Sequence, residues 1–240
     1  MAERWKGRVS QPTDSVPALS RVSVIMPVLN EAEIISGAIR RLVSLNPREV
    51  ILVDGGSTDG TPAAAAEAGA RVVSSPPGRA LQQSIGADLA EGDILMFLHA
   101  DTVLPLAAEN QLARFADGRQ LWGRFDVRLS GSARGLRIIE WFMNYRSRLT
   151  GIATGDQALF VRREAFDLAG GFSRIPLMED VELSARLLRL SRPFCSRARV
   201  LTSSRRWEIQ GVLRTVLLMW RLRLLYFLGV PAEKLVTQYR

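Results

Sequence analysis

Cysteine, histidine and lysine are nearly missing from this 240-residue chain. Cys195 is the only cysteine, which excludes a disulfide framework and any Cys-rich zinc site. His99 is the only histidine, so zinc lacks its usual ligand set. A Ser-His-Asp hydrolase would have a single base to draw on, and no Gly-x-Ser-x-Gly elbow accompanies it. Any bound metal is therefore expected to be a hard cation on carboxylate and phosphate oxygens. Long apolar runs are lacking too. None reaches the ~18–20 residues that a membrane-spanning helix needs. Residues 1–20 are polar, contain Pro12 and Pro17 and have no apolar core run, so they read as a loose tail rather than a secretory leader. The expectation is a cytoplasmic chain, with peripheral contact to a membrane surface left open.

What is abundant is arginine. Of 32 basic side chains only Lys6 and Lys234 are lysines, and against 24 acidic ones they leave a net charge of +8. The charge is uneven. Residues 1–133 carry 13 basic and 15 acidic groups, a net of −2, whereas residues 134–240 carry 19 and 9, a net of +10. A basic half of this kind suits a diphosphate, an anionic acceptor, anionic lipid or nucleic acid. The 47% hydrophobic and 23% charged content is that of an ordinary globular chain and excludes wholesale disorder.

Along the chain, strand and helix patterns alternate four times. Arg21 to Leu29 is an apolar, β-branched run of the kind buried on both faces of a parallel sheet. A helical pattern follows and ends at Pro47. Val50–Val53 is a second strand, stopped by the turn-rich segment Asp54–Thr61 and followed by an Ala-rich helix. Arg71–Ser74, a helix over 79–90 and Asp93–Leu98 complete the series. This is the pattern of an open α/β sheet with right-handed crossovers. The order loosens after about residue 120. Strands are expected at Leu121–Leu129 and Ala158–Val161, and helices at Gly135–Leu149, Glu179–Leu190 and Gly211–Leu228. Ligands of such sheets bind at the carboxyl ends of the strands. Asn30-Glu31, Asp54 and Asp101 all fall at such ends. Taken singly, Asn30 and Asp59 read as helix caps or turn residues.

Several segments in order carry a resemblance: Val24-Ile-Met-Pro-Val-Leu-Asn-Glu31, Val53-Asp-Gly-Gly-Ser-Thr-Asp-Gly-Thr61, Gly78-Arg-Ala-Leu-Gln-Gln-Ser-Ile-Gly86, Phe97-Leu-His-Ala-Asp101, Gly155-Asp-Gln157, Met178-Glu-Asp180 and Ser204-Arg-Arg-Trp207. The set resembles family 2 glycosyltransferases of the GT-A fold, and most of all their small branch known as rSAM/selenodomain-associated transferase 2. The resemblance covers about residues 21–210. It implies one Rossmann-like domain over 21–240, with a mostly parallel sheet flanked by helices. Residues 21–120 would form a nucleotide-binding half, 121–210 a mixed acceptor half and 211–240 a C-terminal helical segment.

The resemblance also implies roles. Pro27, Leu29 and Glu31 map to the first nucleoside loop and Asp54 to the carboxylate that meets the base. Arg79 would meet base or phosphate, or is a solvated helix-terminal arginine. The family's metal-binding Asp-x-Asp reads His99-Ala-Asp101 here, so Asp101 is the carboxylate implied for Mg²⁺ or Mn²⁺. His99 either orients Asp101, touches the ribose or is a structural histidine. Asp180, beside Glu179, is the implied base of an inverting transfer from a UDP- or GDP-sugar. Its alternative is an acidic residue complementing a helix dipole. Asp156 and Gln157 would meet sugar or acceptor. Arg205 and Arg206 would neutralise diphosphate, and Trp207 would stack on an acceptor sugar or lie in the core. Ser203 stands where processive relatives carry Gln. The acceptor, a hydroxyl or phosphate group that is either lipid-linked or simply anionic, is not specified. Two other readings compete, a sugar-phosphate nucleotidyltransferase and a non-enzymatic basic module for anionic lipid or nucleic acid. The motif order favours the transferase without a nucleic-acid partner. The apolar C-terminal helix suits core or homodimer packing first, then membrane contact or a groove for a lipid-linked acceptor.

Overall fold

A computed structural model of the chain describes residues 17–205, 208 and 211–239. The first apolar run forms β1 (Val22–Val28), and the next ones form β2 (Glu49–Asp54), β3 (Arg71–Ser74) and β4 (Ile94–Phe97). Between them lie α1 (Ala32–Val43), α2 (Thr61–Glu67) and α3 (Arg79–Leu89). All four strands are parallel, in the order β3-β2-β1-β4. Alternate residues of β1 explain the unbroken apolar run. Val22, Val24, Met26 and Val28 pack into a cluster with Ile35 and Ile39 of α1, while Ile25 packs on the opposite face with Ala80 and Ala87 of α3. Each fully buried Val, Ile or Met among these contributes about 1.5–3 kcal/mol. At Gly86 α3 packs closely on β1: a Cβ there would lie 2.4 Å from Cγ2 of Ile25.

The second half adds α4 (Ala108–Ala116), β5 (Trp122–Leu129), α5 (Arg134–Thr150), β6 (Leu159–Arg162), α6 (Arg163–Leu168), α7 (Glu179–Leu190), β7 (Phe194–Thr202), α8 (Val212–Phe227) and α9 (Ala232–Tyr239). The sheet has seven strands in the order β3-β2-β1-β4-β6-β5-β7. β6 runs antiparallel to both neighbours, and β5 pairs with β7 in parallel. Every strand and helix expected from the sequence is present. Four elements were not foreseen: α4, α6, β7 and α9. α6 spans six residues, too few for a periodic signal. In β7 the exposed Arg197 and Arg199 break the apolar run that marks the other strands.

One boundary needs correction. Residues 18–20 do not belong to a loose tail: with Arg21 they form a 3₁₀ turn with Ala18 and Leu19 buried. The Ala18 and Leu19 N–H groups donate to the Glu109 carboxylate of α4 at 2.6 and 3.0 Å. The anchor lies about ninety residues away in sequence, so local composition carries no trace of it.

Candidate active site

The site lies along the carboxyl edge of β1, β2 and β4. Pro27 occupies the last turn of the pleat in β1 at no cost to the sheet. The Ile25 carbonyl accepts from Leu98 on the β4 side, and Pro27, two residues on, points its nitrogen to that same side beyond the last β1–β4 pair. Leu29 is half-exposed. Asn30, at φ 56°, is a clamp between loops: its Oδ1 accepts from the Thr58 N–H at 2.9 Å. Asp59 accepts from the Ala32 N–H at the start of α1 and from the Thr61 N–H and hydroxyl. Both residues therefore do the capping and turn work that residues of their type do. Asp54 is buried, and its carboxylate accepts from the Gly56 and Ser57 N–H groups and the Ser57 hydroxyl. It shapes the turn after β2 and does not line the neighbouring cavity. That cavity, of about 800 Å³, is bordered by Glu31, Asp59, Asp101, Ser203 and Arg205.

A second cavity of about 80 Å³ lies on the other side of the His99-Ala-Asp101 segment, lined by Arg79, His99, Asp156, Glu179, Asp180 and Arg223. The antiparallel strand β6 decides this. It delivers the turn that precedes it, Gly155–Gln157, next to the end of β4. Asp180, in the first turn of α7, accepts from the Gly155 N–H at 2.5 Å through Oδ2 and from the Val181 N–H through Oδ1. Position 155 has no room for a side chain, since a Cβ would lie 2.6 Å from Nε2 of His99. His99 Nδ1 is 3.7 Å from Oδ1 of Asp156. Arg79 Nη1 is 3.6 Å from Oε1 of Glu179. Gln157 turns inward, fully buried, with Oε1 accepting from the Thr154 N–H. Three of the four non-glycine residues at positive φ among those described, Asn30, Ala158 and Met178, border these segments. Such conformations persist only where the surroundings impose them, and they gather at sites of function.

Burial and like charge set the electrostatics. Asp101 is raised from the ordinary carboxylate value by burial and then by Asp156. Glu31 is raised by burial and then by Asp101, with Arg205 opposing. Burial, and after it Arg79, drives His99 down to about 3, so its imidazole is neutral. Glu179 is pushed up to about 7 by burial and by Asp180, with Arg79 opposing. A carboxyl raised on folding favours the protonated native state. The stability it confers is complete below its unfolded value near 4.5 and is lost as pH rises through about 7. Glu179→Gln is therefore expected to flatten the fall in Tm between pH 5 and 8 that the unsubstituted chain shows, each ~1 kcal/mol appearing as about 2–4 °C. Equal slopes in differential scanning fluorimetry would remove Glu179 from this role.

Residues 23–168 match the sequence profile of glycosyl transferase family 2. The chain belongs to this family. It is similar to the undecaprenyl-phosphate 4-deoxy-4-formamido-L-arabinose transferase of Enterobacter sp. (strain 638), at 32% identity over 168 residues, covering 61% of this chain and 49% of the relative. It is also similar to the glucosyl-3-phosphoglycerate synthase of Mycolicibacterium smegmatis, at 37% identity over 98 residues, covering 35% of this chain and 32% of the relative. The matched part spans at most about half the length of these curated relatives. Among solved structures, the fold is shared with the Mycobacterium tuberculosis glucosyl-3-phosphoglycerate synthase in complex with Mn²⁺, UDP and phosphoglyceric acid (TM-score 0.60, 23% identity, covering 88% of this chain and 79% of that one). It is shared too with the mannosyltransferase PcManGT of Pyrobaculum calidifontis in complex with GDP-Man and Mn²⁺ (TM-score 0.59, 22% identity, covering 80% and 60%). The GT-A architecture expected from the sequence is thus the observed one.

The metal question for this family 2 member turns on its donor set. Among the described residues no group of three His, Cys, Asp or Glu side chains could hold an ion alone. A magnesium-type site, with one or two carboxylates and the remaining oxygens from substrate phosphates and water, asks for less. Asp101, crowded electrostatically by Asp156 and Glu31, fits that description. Arg205 reaches the larger cavity, whereas Arg206 and Trp207 lie outside the described residues. Sequence reasoning missed three contributors. Gln82, buried in α3, donates to the Val28 and Val53 carbonyls and ties the ends of β1 and β2 together. Its neighbours in the quoted Gly78–Gly86 segment were the only hint. Arg223 of α8 lines the smaller cavity. Arg146 of α5 is partly buried, with its inaccessible Nε and Nη2 lacking hydrogen-bond partners among the described residues. Burial and then Arg223 draw it down to about 10. One unexpected feature had a signal: arginines in otherwise apolar helices are uncommon enough to question.

Proposed function

We propose that this chain transfers a sugar from a nucleoside-diphosphate donor to an anionic acceptor with inversion at the anomeric carbon. The observation that carries the reading is the pair of cavities flanking His99-Ala-Asp101, one bordered by Asp101 and Glu31 and the other by Asp156 and Asp180. The donor occupies the larger cavity, with its diphosphate toward Asp101 and Arg205 and its sugar toward Asp156. An acceptor oxygen in the smaller cavity attacks the anomeric carbon. Its proton passes to the Asp180 carboxylate while the bond from anomeric carbon to diphosphate oxygen breaks and its electron pair leaves with the nucleoside diphosphate. Where the acceptor oxygen belongs to an ionised phosphate, Asp180 has no proton to take and serves to position the nucleophile. Asp101 would hold Mg²⁺ or Mn²⁺, which when bound neutralises charge gathering on the leaving diphosphate.

Arg146 and Arg223 support an acceptor bearing a phosphate. Burial and the neighbouring Arg223 guanidinium hold Arg146 below its ordinary value, and an anion between the two groups would relieve it. The names of the relatives point the same way, one carrying undecaprenyl phosphate and the other phosphoglycerate. A nucleotidyltransferase is less well served, because the loop after β1 carries Asn30 and Glu31, and the first turn of α1 carries Glu33, where that chemistry wants cations.

The test is thermal shift against UDP, GDP and dTDP nucleotides with and without Mn²⁺. Stabilisation by one nucleotide, larger with Mn²⁺ and about 5–10 °C at ~100-fold excess over Kd, is the expected result. Silence across the panel would sink the proposal.

A further inference from the structure

Two helices of the basic half carry a surface that the transfer chemistry leaves unused. On α5, Ile138, Trp141, Phe142, Tyr145 and Leu149 are all exposed. Their spacing places them in one stripe roughly 100° wide on a helix of ~3.6 residues per turn. On α8, Leu217, Trp220, Leu224 and Phe227 make a second such stripe, equally exposed. The stripes join. The Phe142 and Trp220 rings are 6.5 Å apart, and Trp141 stacks on Tyr145 with centroids at 5.1 Å. Trp141 and Trp220 are each 57% exposed, which water-facing tryptophans of a monomer seldom are. A contiguous apolar patch of this extent marks a contact surface.

Its charge says which kind. Arg134 on α5 and Arg214 and Arg221 on α8 are exposed along its border. Neither helix offers an exposed acid. Glu140, the only acidic residue of α5, is buried against the Leu129 N–H, and α8 has none. Amphipathic aromatics beside arginines match the boundary between lipid head groups and acyl chains. A second copy of this chain is the poorer match, since a two-fold contact would press two strongly basic halves together.

We propose that the α5–α8 face docks on an anionic lipid surface, with both helices lying in the plane of the interface. Among the described residues no helix is long and apolar enough to cross a membrane, so the contact is interfacial. Next to this stripe α8 carries Met219 and Arg223, which line the Asp180 cavity. Docking therefore brings that cavity within about one helix diameter, ~10 Å, of the lipid. The docking stands on the surface alone and is tested without turnover.

The test is flotation of the full chain with vesicles of phosphatidylcholine alone or with about one-third phosphatidylglycerol. Partition onto the anionic vesicles is expected, weakened by high salt. Trp141→Ala with Trp220→Ala should lower it about tenfold or more. Arg214→Ser with Arg221→Ser should lower it roughly tenfold on anionic vesicles and leave neutral ones unaffected. Both pairs are at exposed positions, and an unchanged Tm verifies the fold. Absence of flotation with anionic vesicles overturns the proposal, as does partition that neither pair alters. A chain that is dimeric by light scattering, made monomeric by the tryptophan pair and indifferent to vesicles, also overturns it and assigns the face to a second copy.

Discussion

Asp180→Asn is expected to remove sugar transfer to a hydroxyl acceptor by about 10²–10⁴-fold in kcat, the range that a positioned general base supplies, while nucleotide binding stays intact. The substitution keeps the shape of the side chain and one carbonyl oxygen, which can still accept from the Gly155 N–H that holds Oδ2 now. What it loses is the ability to take a proton, together with the second oxygen, which accepts from the Val181 N–H. Asp180 borders the smaller cavity, away from Glu31, Asp59 and Arg205, so the nucleotide-induced thermal shift should not change. Turnover within tenfold of the unsubstituted enzyme on a hydroxyl acceptor would take Asp180 out of the base role. Glu179→Gln serves as the internal comparison. Glu179 lies deeper and faces Arg79, so its loss should alter the pH dependence of stability more than the chemical step.

The second large effect is expected at Asp101. Asp101→Asn should lower kcat/KM by about 10²-fold or more, the several kcal/mol that charge neutralisation on a leaving diphosphate is worth. It should also abolish the difference that Mn²⁺ makes to nucleotide stabilisation. The ligand-free protein should respond in the opposite direction. Asp101 is held above its ordinary carboxylate value by burial and Asp156, so its charge opposes folding at neutral pH. Removing that charge should leave Tm unchanged or raise it. A variant with unaltered Mn²⁺ dependence would show that the ion, if used, is held elsewhere.

How much of this was legible beforehand differs between the two halves. In β1, β2 and β4 each strand is short, apolar and buried on both faces, and each stops at a turn, so the pattern and the packing coincide; β3 is the partly exposed edge strand. The expected elements there match the observed ones to within about two residues. The strand ends read from the sequence put Asn30-Glu31, Asp54 and Asp101 at one edge; Glu31 and Asp101 border the larger cavity there, and Asp156 and Asp180 the smaller one. Individual roles were less legible. Asp54 sits where the family pattern wants a base-binding carboxylate, and its oxygens accept three hydrogen bonds from the turn it begins. His99 faces Gly155 and Asp156 in the smaller cavity, a placement that depends on β6 running antiparallel. Gln157 looks polar and available in sequence and is sealed inside its own turn.

By itself the sequence determined the class of fold, the family and the edge of the sheet at which chemistry is to be sought. Those properties rest on local periodicity and on residues close to one another along the chain. Tertiary structure alone decided the rest. The division into two cavities, the approach of Arg146 and Arg223 to Asp180, and the pinning of Ala18 and Leu19 by Glu109 all join residues tens of positions apart. It also decided which apolar faces of α5 and α8 remain uncovered. Hydrophobic periodicity reports that a helix has an apolar stripe, but only packing shows whether the protein itself covers it, and here Leu222 is buried while Trp220 is not.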